Sequence, residues 1–228
     1  MSVTWIASQA HNDEIQSKNL KGPTPKVFAL HTRSTFWGVG TLYYSYMTVV
    51  SRSRFVVPEL VASHFHVRDG DLVGDFGAGS GTFIPLLSRK VGPQGRVFAC
   101  EIERGLVDKI GSLVRSERLR NVDPLWCDLE APRGIKIPDG CLDVAIVVNT
   151  LYQLVNREDA IREKRRTLRS GGVVYVVDWS DSFGGIGPHP DCVVCKELAI
   201  DLFEAAGFVF EREYPAGDFH YGLAFRVI

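Results

Sequence analysis

The sequence predicts an α/β fold: a doubly wound, mostly parallel seven-stranded sheet with helices on both faces and an antiparallel C-terminal strand. Three observations predict it. Short apolar, strand-like runs recur near 72–76, 96–101, 123–127, 142–148, 173–178, 207–213 and 220–227. Helix-like segments lie between them near 81–91, 104–117, 157–169 and 191–206. Such alternation implies a parallel sheet covered on both sides. The last two strands are joined only by Tyr214-Pro215-Ala216-Gly217-Asp218. That link is too short for a parallel crossover, so they form a hairpin and one of them runs antiparallel.

A chain of 228 residues suits one large α/β domain with an appendage. Residues 1–50 read as an N-terminal extension and 51–228 as the domain. The extension is polar up to about Leu20, is broken by Gly22-Pro23-Thr24-Pro25, and becomes dense in aromatics from Phe36 to Met47. Two readings stand for that aromatic stretch. It is a lid that excludes water from a substrate, or a segment that packs on the domain or on a dimer partner. An amphipathic helix is expected from Ser53 to Phe65, with Pro58 near its first turn. Asn156 and Asp159 form a capping-box pattern at the start of the 157–169 helix, and Gly171-Gly172 ends it. Asp191 is the expected N-cap of the 191–206 helix.

The charges nearly cancel, with 26 basic and 27 acidic residues. This argues against a dedicated nucleic-acid binder. No apolar run reaches the length of a membrane span, and the N-terminus has no basic segment followed by an apolar one. Cys100, Cys127 and Cys141 lie in or beside apolar strand-like runs, where a thiol packs as a small hydrophobe. A cytoplasmic, reducing setting is expected. Arg162, Lys164, Arg165, Arg166 and Arg169 read as a solvated helix face rather than an RNA track.

The chemistry concentrates at Val73 to Thr82. A buried strand ends in Asp75, passes through Gly77, Gly79 and Gly81, and enters a helix. Glycines at alternate positions let a ligand lie against the main chain. The following helix N-terminus presents N–H groups to an anionic part of that ligand. The spacing is G-x-G-x-G, with Thr82 where a dinucleotide fingerprint carries its third glycine. Asp75 would repel a pyrophosphate and attract a cation.

The ordered set D-F-G-A-G-S-G (Asp75 to Gly81), Arg96 to Ile102, Trp126 to Leu129, Leu142 to Asn149 and Leu168 to Asp178 resembles the class I S-adenosylmethionine (SAM) dependent methyltransferases. The resemblance covers roughly residues 54 to 228. It is strongest to the small-molecule and quinone C-methyltransferase type, and to methyltransferase-domain proteins that share D-W-S-x-S-F-G-G (Asp178 to Gly185) and H-Y-G-L-x-F-R (His220 to Arg226). It implies a Rossmann-like seven-stranded sheet with an antiparallel last strand. It also implies SAM as cofactor, S-adenosylhomocysteine as product and a small molecule as substrate. The cofactor contacts it implies are Asp75, Gly77, Ala78, Gly79 and Ser80 at the methionine half. Glu101 takes the ribose hydroxyls. Asp128 and the Leu129 N–H take the adenine edge, Ile102 and Leu129 take its faces, and Asn149 stands beside the transferable methyl. Plainer readings are a solvated strand-end charge for Glu101, a turn-capping carboxylate for Asp128 and a polar strand end for Asn149.

Asn149, Tyr152, Asp178 and His220 are the candidate catalytic residues, because each follows or borders a strand end. A histidine there would serve as general base for a hydroxyl or amine. Asn149-Thr150-Leu151-Tyr152 lacks the prolines of the amino-methylating motif, which lowers base N-methylation. His189, Cys192 and Cys195 lack a fourth ligand, and no metal is expected. Two other functions remain in view. One is RNA or protein methylation, since Val91 to Val97 resembles fibrillarin-like and isoaspartyl methyltransferases at that spot. The other is a non-catalytic SAM-fold scaffold.

Overall fold

The computed structural model describes residues 55–228. The extension of residues 1–50, with its lid and dimer readings, lies outside them. The order is α1 (Pro58–Ser63), β1 (Leu72–Phe76), α2 (Ile84–Val91), β2 (Arg96–Glu101), α3 (Arg104–Ser116), β3 (Val122–Trp126), β4 (Leu142–Val148), α4 (Arg157–Thr167), β5 (Leu168–Trp179), α5 (Lys196–Ala205), β6 (Phe208–Pro215) and β7 (His220–Val227). The seven strands form one sheet in the order β3-β2-β1-β4-β5-β7-β6. All pairs are parallel except those of β7, which runs antiparallel to both β5 and β6. The chain winds outward from β1 to β3, then returns to place β4 on the other side of β1. The crevice for ligands therefore opens at the C-terminal ends of β1 and β4.

Strand parity sorts the apolar side chains into two layers. Val73, Val97, Val144, Ile146, Tyr175 and Val177 face α1, α2 and α3, through Phe65, Ile84, Leu87 and Ile110. Phe76, Cys100, Ala145, Val147, Leu223 and Phe225 face α4 and α5, through Ile161, Ala199 and Phe203. On β7 the first of these faces carries only Gly222 and Ala224 in the strand interior, because the Tyr214 ring lies across it. A Cβ on Gly222 would stand 2.5 Å from that ring. Tyr214 donates its hydroxyl to the Val176 carbonyl at 3.2 Å and so locks β6 over β5 across the intervening strand.

Several boundaries differ from expectation. Helix α4 stops at Thr167, because the apolar Leu168 is already paired with Leu142. Gly171-Gly172 then forms an irregularity inside β5, where Gly171 takes φ 77°, rather than ending a helix. The Asn156 cap is present: its side chain accepts the Asp159 N–H at 3.2 Å. The reciprocal arm of the capping box is absent, since the Asn156 N–H goes to the Glu130 carboxylate. Asp191 does not start α5. It lies in a short 3-10 turn, Pro190–Cys192, capped by His189, and α5 begins at Lys196 after the buried Val194.

The basic run is a solvated face only in part: Arg162 and Arg169 stay exposed, whereas Arg166 is largely covered and Lys164 is buried. Arg166 joins Glu163 and Asp139, Arg162 joins Glu158 and Asp159, and Arg169 joins Asp143. Arg165 donates to the carbonyls of Gly207 and Ile228. Lys164 is 0% exposed, with its ammonium on the Ala160 carbonyl at 3.2 Å and above the Phe76 ring. Its position follows from spacing: residues 160, 161, 164 and 167 share the buried stripe of the helix.

Burial lowers Lys164 from its ordinary 10.5 to about 7, against the pull of Cys100, Glu130 and Glu163. Between those pH values the unfolded chain holds more protons at this site, so its contribution makes stability rise with pH. Lys164→Met is expected to raise stability by about 1–4 kcal/mol near neutral pH. The gain should narrow toward pH 10, as read from thermal midpoints across a pH series.

Candidate cofactor site and acceptor mouth

The glycine loop joins β1 to α2 and is pinned from two sides. The N–H groups of Gly77 and Ala78 both donate to the Cys100 carbonyl on β2, at 2.9 and 3.1 Å. Glu101, at the end of β2 and 7% exposed, pins the rest. Its Oε2 accepts the Gly79 N–H at 2.9 Å, and its Oε1 accepts those of Ile102 and Glu103 at 2.8 and 3.0 Å. Gly77, Gly79 and Gly81 take φ values of 84°, 55° and 90°, which residues with a Cβ adopt only at a penalty. A Cβ on Gly77 would stand 2.4 Å from Thr150 Oγ1, whereas one on Gly79 would meet nothing within 4 Å. The loop is thus closed toward the protein at Gly77 and open outward at Gly79.

Asp75 lies beneath this loop and is 3% exposed. Burial first, and the nearby Glu101 carboxylate second, raise it to about 7. Ile102 stands 55% exposed at the β2 end. Asp128 follows β3 as a turn cap: its Oδ1 accepts the N–H groups of Glu130 and Ala131 at 3.0 and 3.3 Å. Leu129 is buried in the core. Trp126, which sequence reasoning did not select, donates its indole N–H to the Ile102 carbonyl at 2.7 Å and carries the Arg104 guanidinium over its ring at 4.9 Å. An aromatic closing β3 beside the Asp128 turn was the available signal.

The ends of β4, β5 and β7 form the other half. Asn149 takes the left-handed φ of 53°, and its buried Oδ1 has no partner among the described residues. Its carbonyl accepts from the Gln153 amide at 2.7 Å. Thr150 donates to the carbonyls of Phe76 and Val148 and so ties β4 to β1. Asp178 is fully buried, and its carboxylate holds the N–H groups of Leu151 and Trp179 at 2.7 and 2.8 Å. Burial nevertheless raises it to about 7. Tyr152 is half-buried, and desolvation followed by the Asp178 charge raises its hydroxyl. Arg157, also missed from sequence, fastens the 3-10 turn Leu151–Gln153 to the 180–195 segment through the carbonyls of Leu151 and Cys192.

His220 opens β7 opposite Trp179. It is 7% exposed, and neither ring nitrogen has a partner among the described residues. Cys192 and Cys195 are not disulfide-bonded. Among the described residues no group of three or more metal-type side chains is clustered. No helix among them is long and apolar enough to cross a membrane.

Residues 74–176 match the family described as "Methyltransferase domain". That stretch is similar to class I SAM-dependent methyltransferase domains. One relative is the "Ubiquinone/menaquinone biosynthesis C-methyltransferase UbiE" of Stenotrophomonas maltophilia (strain R551-3), 29% identical over 121 residues, which cover 50% of this chain and 45% of that protein. The chain thus spans about half the length of the curated relatives it matches. A SAM dependent methyltransferase from Aquifex aeolicus shares the fold with a TM-score of 0.71 at 24% identity, covering 81% of this chain and 98% of that one. The [4+2]-cyclase SpnF shares it with a TM-score of 0.65 at 16% identity, covering 83% and 95%.

The residues of this site suit SAM. The open side of Gly79 leaves room at the loop, Asp75 offers an anion to a cation, and the orphaned Asn149 Oδ1 offers a buried acceptor. Gly77→Ala and Gly79→Ala separate fold from binding. Gly77→Ala is expected to lower the thermal midpoint by several degrees, since about 1–2 kcal/mol of left-handed strain adds to the Thr150 clash. Gly79→Ala should cause a smaller loss of stability and mainly weaken SAM, as measured by calorimetric titration of both variants.

Proposed function

We propose that the protein transfers the methyl group of SAM to a small-molecule acceptor by in-line displacement. One observation carries this reading. A rigid glycine loop with an outward-open Gly79 stands between two buried carboxylates, Asp75 and Glu101, at the topological switch point of the sheet. When bound, SAM supplies an electrophilic methyl on a sulfonium, and loss of the methyl leaves a neutral thioether. The chain's own residues position the partners and exclude water.

In this reading the loop from Gly77 to Ser80 lies along the methionine half, and Asp75 faces its cationic end. Glu101 already accepts three amide protons through both oxygens, and its remaining lone pairs take the ribose hydroxyls. Ile102 covers one adenine face, while Asp128 Oδ2 and the Leu129 N–H address its edge. Asn149 borders the reacting centre. Asp178 acts through others: it orients Leu151 and with it Tyr152, so it is a positioning residue. The names of the curated relatives support a quinone-type acceptor and methylation at carbon. The internal pairing of the α4 arginines supports a small molecule over RNA.

Glu101→Ala is expected to weaken SAM binding by about 1–3 kcal/mol, because a charge-assisted acceptor is lost and Gly79 is released. Asp75 gives a pH signature. Its carboxyl sits near 7, and a cation beside it favours the ionised form. SAM affinity should therefore rise about tenfold from pH 6 to pH 8, with proton release on binding, and Asp75→Asn should flatten the profile. Calorimetry in buffers of different ionisation enthalpy reads both. No SAM binding to folded protein would overturn the function, and a flat wild-type profile would overturn only the role of Asp75.

A further inference from the structure

The mouth at the ends of β5 and β7 is aromatic. Trp179 lies against His220 with ring centres 4.2 Å apart, and Phe219 stacks near Trp179 at 6.5 Å. Phe183 closes on Phe219 at 4.5 Å. The wall is held in place by its backbone. Ser180 gives both its N–H and its hydroxyl to the Phe219 carbonyl, at 3.0 and 2.9 Å. Gly187 passes so close to Trp179 that a Cβ would stand 2.8 Å from the indole. Phe183 is kept at φ 47°, followed by Gly184 and Gly185 at 67° and 96°. A bulky residue in the left-handed region is strained, and such strain gathers where a site is pre-shaped.

Within this wall His220 is anomalous. It is more than nine-tenths buried, yet it lacks a hydrogen bond at both nitrogens. A neutral imidazole must carry one donor and one acceptor, and leaving both unmet in a buried site is costly. Core histidines resolve this with a protein partner, and here the described residues provide none.

We infer that His220, packed on Trp179 beside Phe183, is the residue that reads an uncharged hydroxyl on a flat, apolar acceptor. This rests on the small-molecule methyltransferase reading and names the specificity element of its acceptor site. Burial lowers His220 to about 4, so at neutral pH the ring is neutral and a weak base. Its task is recognition by hydrogen bond. General-base catalysis, the role the sequence suggested, suits a histidine nearer neutrality. A carboxylate or ammonium on the same ring would lose its hydration here without gaining a charged partner, and is rejected.

The test compares 2-naphthol with naphthalene on the full chain, with and without S-adenosylhomocysteine, by Trp179-sensitive fluorescence and by 15N spectra of the histidine rings. Wild type should prefer 2-naphthol about tenfold, equivalent to one hydrogen bond, and the His220 ring nitrogens should shift on binding. His220→Phe, which keeps an aromatic beside Trp179, should bind naphthalene within about twofold of wild type and lose the preference. His220→Gln should restore part of it. The proposal is overturned if wild type shows no preference or binds neither probe. It is equally overturned if the preference survives in His220→Phe, or if the ring nitrogens stay unmoved. Because the probes need no cofactor, failure of S-adenosylhomocysteine to bind would count against the methyltransferase reading alone.

Discussion

Three amide hydrogens converge on the Glu101 carboxylate, and the rest of the site depends on that convergence. The Gly79 N–H comes from the β1–α2 loop, and those of Ile102 and Glu103 come from the turn into α3. A buried carboxylate tolerates loss of water when amide donors replace it. In doing so Glu101 joins the β1–α2 loop to the turn into α3 and holds the glycine loop in its left-handed path. Preorganisation of this kind reduces what binding must spend on ordering the loop.

The strand ends carry two more buried carboxylates, and each solves burial differently. Asp178 accepts one amide proton on each oxygen, from Leu151 and Trp179, and so serves the backbone of the turn after β4. Asp75 has no such donors among the described residues and lies near Glu101, so burial and that carboxylate disfavour its charge. Lys164 lies in the α4 layer, with the Ala160 carbonyl as its hydrogen-bond partner among the described residues. These groups oppose stability, and two of the three sit at the C-terminal ends of β1 and β5. Close-packed layers above and below the sheet let the strand ends hold such unfavourable groups in place.

The acceptor side follows the same logic with less charge. A strained Phe183, a Trp179 packed on bare backbone at Gly187 and a His220 whose ring nitrogens have no hydrogen bond among the described residues gather at the ends of β5 and β7. The antiparallel β7 is what puts His220 there. A strand entering from the hairpin delivers its first residue, not its last, to the ligand-binding end of a sheet whose other strands arrive by their C-terminal ends.

Much of this was legible in the chain. Alternating apolar runs and helices pointed to the doubly wound class, and the five-residue link before β7 required one strand of the final hairpin to run antiparallel; that this strand is β7 was implied by the family resemblance and is seen in its pairing with β5 and β6. The D-x-G-x-G-x-G spacing marked the turn from β1 to α2, because glycine alone takes its left-handed φ values without penalty. The α4 heptad-like stripe even contained the burial of Lys164, although its charge concealed it. What local pattern cannot carry is pairing between distant residues. That Leu168 would pair with Leu142 and shorten α4, that the Asp178 carboxylate would be consumed by Leu151 and Trp179, and that Asp128 would spend one oxygen on its own turn were decided by tertiary contacts. So was the isolation of His220. A sequence names the donors and acceptors, but only the packed sheet decides which of them meet and which are left for a ligand.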